Sequence, residues 1–231
     1  MAEKRPAVAG NWLVLAGAVL YLLEWVAIIP AGDSGPSDPG TASGKVLGLY
    51  TAHPTGVTFL ATWCSVVLLG RVLLILGIRA ALRSVGRDDE LVGWAIAAMA
   101  ISVALELVSL TATGSAAVLA ERSADADLVR ALDVVGGFAW GMIFGPLGIA
   151  VATAAWVMLR SRAFPLWICV VGLVGGGLGV LGGIVAGPGY LHEGIARSIF
   201  TFAQAGVALF WLWMLATGIF LVRRIRRPAA G

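Results

Sequence analysis

Six apolar runs decide what this chain can become. They cover residues 12–29, 57–78, 91–112, 134–159, 164–187 and 199–222, and each is close to or above the ~20 residues that carry a helix across a bilayer core. In lipid the backbone has to satisfy its own hydrogen bonds, which a helix does. Charged residues make up only 13% of the chain, against about 25% in soluble domains. The expected fold is therefore all-α: a polytopic membrane bundle of six transmembrane helices forming one domain over 1–231, a multi-pass protein of the cell membrane. Lys4 and Arg5 precede a long first run that contains a glutamate, so this run is read as an uncleaved span rather than a signal peptide.

The connections alternate in charge. Lys4 and Arg5, then Arg79, Arg83 and Arg87, then Arg160 and Arg162, then Arg223, Arg224, Arg226 and Arg227 fall on one side. The other side carries Asp33 and Asp38 against Lys45, and Glu121, Asp125, Asp127 and Asp133 against Arg122 and Arg130. Basic connections stay in the cytoplasm, so both termini are expected there. The same distribution explains the net charge of +3 without a nucleic-acid partner, because the basic residues sit at helix ends and form no groove-sized patch. Of the two outer segments, residues 30–56 are turn-rich and are expected to be a mobile loop in preference to a lid. Residues 113–133 are expected to form a short surface helix or to extend the fourth span.

The fifth run, FPLWICVVGLVGGGLGVLGGIVAG, repeats glycine every fourth residue at Gly175, Gly179, Gly183 and Gly187. In a helix these form one smooth stripe, with Gly172 and Gly176 beside it. Such stripes let helices approach closely, so this helix is expected to pack at the centre of the bundle. Gly175, Gly179 and Gly183 are also candidates for a homo-oligomer interface. Trp12, Trp94, Trp156, Trp167, Trp211 and Trp213 lie towards span ends, as an interfacial belt does.

Ionisable groups inside spans are functional candidates by default. Glu24 and Glu106 each lie about six residues from the outer end of a run, roughly 9 Å deep at 1.5 Å per residue, and Gln204 is similarly placed. Glu106 shares its helical face with Ser102, Ser109 and Thr113, and Glu24 shares one with Gly17 and Tyr21. These faces predict an outward-opening polar pocket whose rim holds His53, Asp133, His192, Glu193 and Arg197. Arg71 is expected to snorkel to the cytoplasmic headgroups. A carboxyl group in an apolar site tends to stay protonated at neutral pH, and two of them can divide giving and taking a proton. Glu106 as acid and Glu24 as base or stabiliser, with Trp140 facing a developing cation, would isomerise or cyclise a lipophilic, terpenoid or lipid-like, substrate. Tyr21, Ser102, Ser109, Trp140, Gln204, His53 and His192 are the candidate substrate contacts. A transport or binding component, or a structural partner subunit, is the alternative.

Several chemistries are set aside. No span holds a lysine for a retinal Schiff base. The run GTASGK at 40–45 has three residues between its glycines where a phosphate loop has four, and valine follows the lysine. Cys64 and Cys169 fall inside apolar spans, so neither a disulfide nor a zinc site is expected, and no metal or cofactor is implied.

Three stretches, AGDSGPSD after the first span, FPLWICVVGLVGGG at the start of the fifth and the terminal LFWLWMLATGIFLVRR, resemble small six-span actinobacterial membrane proteins of unassigned function. That resemblance implies a six-helix bundle and brings no catalytic residues. More distantly, the chain is similar to integral membrane terpene cyclases and sterol-isomerase-type proteins, which place acids within helices as Glu24 and Glu106 are placed here. The cyclases have seven spans where this chain has six.

Overall fold

A computed structural model describes residues 6–32, 36–87, 89–123, 125–191 and 194–225. Ten helices are found there: α1 (Pro6–Leu22), α2 (Trp25–Ala31), α3 (Ser43–Ala52), α4 (Pro54–Val67), α5 (Leu69–Arg83), α6 (Leu91–Glu121), α7 (Ala126–Ser161), α8 (Leu166–Leu191), α9 (Ile195–Ala203) and α10 (Ala205–Ile225). Six helical stretches are long and apolar enough to cross a membrane: Trp12–Ala31, Pro54–Arg83, Leu91–Glu121, Ala126–Ser161, Leu166–Leu191 and Ile195–Arg223. The protein is thus an all-helical, six-span membrane bundle.

Local chemistry sets the ends. Pro54 opens α4, where its missing N–H is one of the unpaired donors of a first turn. Asp125 caps α7 by accepting from the Asp127 N–H at 2.9 Å. Arg162, at a φ of 55°, closes the same helix in the left-handed region. α6 runs to Glu121 and α7 starts at Ala126, so residues 113–133 extend spans three and four and form no separate surface helix among the described residues. Pro146 lies inside α7 without ending it.

The glycine stripe is used up inside the molecule. A Cβ on Gly176 would meet Ala152 N at 2.5 Å, and one on Gly179 would meet the Gly148 Cα at 2.8 Å. Gly183 presses on the backbone of Gly145, and Gly175 on Leu209 and Gly206. Gly175, Gly179 and Gly183, the three positions considered for an oligomer interface, therefore face α7 and α10 of their own chain. α8 needs so bare a surface because it packs on both neighbours at backbone distance.

Two apolar cores result. The larger includes Val14, Leu74, Ile75, Ile78, Met99, Val151, Met158, Ile168, Trp213 and Met214. It extends to the end of the bundle where the arginines lie, an end marked by the Arg160–Asp89 ion pair at 3.6 Å between the last turn of α7 and the connection before α6. The smaller joins Val46 and Tyr50 of α3 to Val57, Ala116, Ala117, Ala120 and Val129 at the opposite end.

This second core corrects the expected mobile loop between spans one and two. Its described part, residues 36–52, is folded down onto the bundle. The turn residues Pro36–Gly40 lead into α3, whose apolar face Val46/Tyr50 is buried. Asp133 fixes the segment from below. It is fully buried and accepts from Ser37 N at 3.0 Å, Ser37 Oγ at 2.6 Å and the Tyr50 hydroxyl at 2.9 Å. Its neighbour Arg130 donates to it at 2.7 Å. Asp133 is thus a structural anchor rather than a rim residue.

Candidate functional site

The site begins with two glycines. Gly17 of α1 and Gly70 of α5 cross so closely that a Cβ on Gly17 would lie 2.6 Å from Leu74 N, and one on Gly70 would lie 2.7 Å from Tyr21 N. That crossing sets Tyr21 against Arg71. Arg71 Nη2 donates to the Tyr21 hydroxyl at 2.8 Å, and its guanidinium carbon stands 4.3 Å from the Tyr21 ring centroid. From the other side Glu106 of α6 brings Oε2 to 2.5 Å from Arg71 Nη1. Arg71 is 3% exposed and Glu106 0%.

The expected snorkelling of Arg71 does not occur. Its span runs from Pro54 to Arg83, so Arg71 lies twelve residues, about 18 Å, from the arginine-rich end. That is beyond the reach of its side chain. Glu106 sits midway along Leu91–Glu121, level with it. A buried guanidinium is tolerated only when paired, and the pair is present.

Glu24 completes the group. Span one is interrupted at Leu23–Glu24, between α1 and α2. At the break the Leu23 carbonyl accepts from Val26 N at 3.1 Å and also from Trp63 Nε1 at 2.7 Å, so the backbone there stays satisfied as membrane helices require. Glu24 is 7% exposed and within electrostatic range of Glu106 and Arg71. Spans two and six are interrupted at comparable points, at Leu68 just before Gly70–Arg71 and at Gln204.

Glu24, Arg71 and Glu106 line one cavity of about 110 Å³ with Tyr21, Trp140 and Trp211. Ile143, Phe144, Leu147 and Val207 complete its apolar wall. A second chamber of about 190 Å³ lies towards the folded segment and is lined by Ser37, Asp38, Trp140, Tyr190, Arg197 and Gln204 among others. Arg197 pairs with Asp38 across it. Trp140 lines both chambers and stands edge-on to Phe144, so it forms the partition between them.

The predicted site residues divide accordingly. Tyr21, Glu24, Glu106 and Trp140 meet at the inner cavity. Gln204 lines the outer chamber instead. Ser109 donates to the Gly136 carbonyl at 2.8 Å and ties α6 to α7. Ser102 is buried on the α6 face one turn from Glu106, its hydroxyl without a hydrogen-bond partner among the described residues. His53 is exposed at the α3–α4 corner, against Gly32 and away from both chambers. His192 and Glu193 lie outside the described residues. Sequence reasoning missed Arg71 and Trp211. Trp211 was assigned to the interfacial belt, yet it packs on Tyr21 and Trp25 at ring distances of 5.9 and 5.1 Å. Trp213, assigned likewise, is fully buried. The signal for Arg71 was Gly70 beside it, which marks a helix face too close to a neighbour to face lipid.

No family model, curated protein or solved structure matches the chain. Among the described residues no three His, Cys, Asp or Glu side chains gather as metal ligands do.

Proposed function

We propose that this protein binds a lipophilic molecule in the inner cavity, reached from the outer chamber past Trp140, and that Glu24 exchanges a proton with it. The observation that carries the reading is the unequal pair of carboxylates at one apolar cavity. Glu106 has a guanidinium to itself, while Glu24 faces the cavity with no ion pair among the described residues. Charge balance in a medium of low dielectric is met with two carboxylates, one guanidinium and one proton. Arg71 is matched by Glu106, so in this reading Glu24 is the group assigned the proton. This reverses the roles expected from sequence, where Glu106 was the acid.

The reaction class that follows is isomerisation. Glu24 gives its proton to one carbon of an alkene, forming a C–H bond. A proton leaves a neighbouring carbon, breaking another, and returns to the carboxylate. Nothing is oxidised or reduced, and atoms balance without a co-substrate. Trp140 and Trp211 line the same cavity, and an aromatic ring there stabilises the positive charge that develops between the two steps. Ring closure is the variant in which a second alkene attacks that cation before the proton is lost.

The test is a mass-spectrometric comparison of membrane lipophiles from cells making the wild type or Glu24→Gln at equal levels. A compound isomeric with a consumed precursor, formed with the wild type alone, is the expected result. Equal profiles with both proteins folded would reject chemistry at Glu24.

A further inference from the structure

We infer that the inner cavity takes a compact neutral molecule bearing a hydroxyl group, with that hydroxyl seated between Arg71 and Glu106. The inference rests on the reading of this cavity as a ligand site and adds the ligand's chemical class. Arg71 and Glu106 meet as an ion pair, but their hydrogen-bonding capacity is not used up. Among the described residues Arg71 Nε and Glu106 Oε1 are both buried and have no hydrogen-bond partner. Both residues are more than nine-tenths buried and both line the cavity. One unmatched atom donates and the other accepts.

That combination selects among ligands. A buried polar atom without a partner is costly, the more so when it is charged, so an occupant that matches both is favoured. A hydroxyl accepts from Arg71 Nε and donates to Glu106 Oε1 with one oxygen. A carboxylate satisfies the arginine but meets Glu106 as a like charge, and an ammonium does the reverse. A hydrocarbon leaves both atoms unmatched. The volume limits the occupant further. About 110 Å³ is somewhat less than the ~150 Å³ of an apolar cavity that accepts benzene. The portion beside the ion pair is therefore five or six heavy atoms, with any longer tail passing Trp140 into the outer chamber. Ile28, Ile143, Leu147 and Val207 suit a branched or unsaturated hydrocarbon body.

The experiment uses the full chain in nanodiscs and an isosteric series: 3-methylbutan-1-ol, 3-methylbutylammonium and 2-methylpentane, with 3-methylbutanoate as the anion. Binding is read from the tryptophan fluorescence of the cavity wall and corrected for partition into empty nanodiscs. The alcohol is expected to bind at least tenfold more tightly than each of the others. Glu106→Gln is expected to remove most of that preference. Val207→Phe, which fills the cavity and leaves the ion pair intact, is expected to abolish binding of every probe. If the hydrocarbon binds as well as the alcohol and Val207→Phe blocks both, the cavity is a ligand site and the hydroxyl inference is wrong. If an ion binds best, the inference is equally wrong. If no probe binds, or Val207→Phe changes nothing, the ligand-site reading itself falls.

Discussion

At the scale of single residues, Arg71 is the side chain on which the others depend. Removing its partner leaves an uncompensated charge in the middle of the bundle, whereas removing Glu24 leaves none. Glu106→Gln is therefore expected to destabilise the folded protein by about 3–5 kcal/mol, and Glu24→Gln by much less. Equilibrium unfolding in mixed micelles measures both, and an equal loss in the two variants would mean that Glu24 shares the arginine. The Arg71→Met/Glu106→Gln double variant is expected to recover a large part of the loss, because no charge is then left unpaired. Asp133 plays a comparable part outside the cavity. Burial and the adjacent Asp133 push the Tyr50 phenol above its usual range, so the neutral form is the one the fold prefers. A raised value means that Tyr50 contributes its full stabilisation below about pH 10, the ordinary tyrosine value, and loses it as pH rises beyond that. Limited proteolysis within 36–45 is expected to stay slow up to that range and to accelerate above it. Asp133→Ala should make cleavage fast at every pH, and slow cleavage in that variant would show that the segment is held by something else.

At the scale of elements, glycine positions separate into those that must be bare and those that merely are. Gly17, Gly70 and Gly179 have backbone atoms of another helix where a Cβ would go, and Gly177 has nothing within 4 Å. Alanine at the first three should cost about 1–3 kcal/mol through overpacking. At Gly177 it should be neutral or favourable by up to about 1 kcal/mol. Thermal unfolding of the four variants checks the contrast, and a uniform response would mean that the close crossings are not what holds the bundle. Gly17→Ala and Gly70→Ala should additionally weaken probe binding, since the α1–α5 crossing is what holds Tyr21 against Arg71. How far these elements were legible is instructive. The stripe on α8 was visible because its period matches the helix, but its partners were not. Period alone does not say whether a bare face meets another span or another molecule. The breaks at Leu23–Glu24, Leu68 and Gln204 carry no Pro or Gly at the broken residue. They were invisible to reasoning from helix-breaking residue types.

At the scale of the whole molecule, what could be read was the number of spans, because length and hydropathy are additive along the chain. What could not be read was relative depth. Span two begins at Pro54 and ends at Arg83, wider at both ends than its apolar run, and that widening moves Arg71 from the margin to the middle. The folded segment 36–52 was hidden for a related reason: its composition is that of a loop, and the few side chains that fasten it find their partners on α7, 83 and 96 residues away. Orientation follows from a property that no fold displays, the sidedness of the cell. Basic connections are retained in the cytoplasm, so the expected orientation puts the arginine-rich connections inside, and labelling from outside tests it. Gly40 lies exposed in the opposite segment with open space around it, and Ser84 lies exposed beyond α5. Cys64 and Cys169 are buried, so background labelling is expected to be low. Gly40→Cys should react with a membrane-impermeant maleimide in intact cells, and Ser84→Cys only after permeabilisation. The reverse pattern would turn the protein over, and with it the chamber above Trp140, so that the cavity at Glu24 would draw its ligand from the cytoplasm.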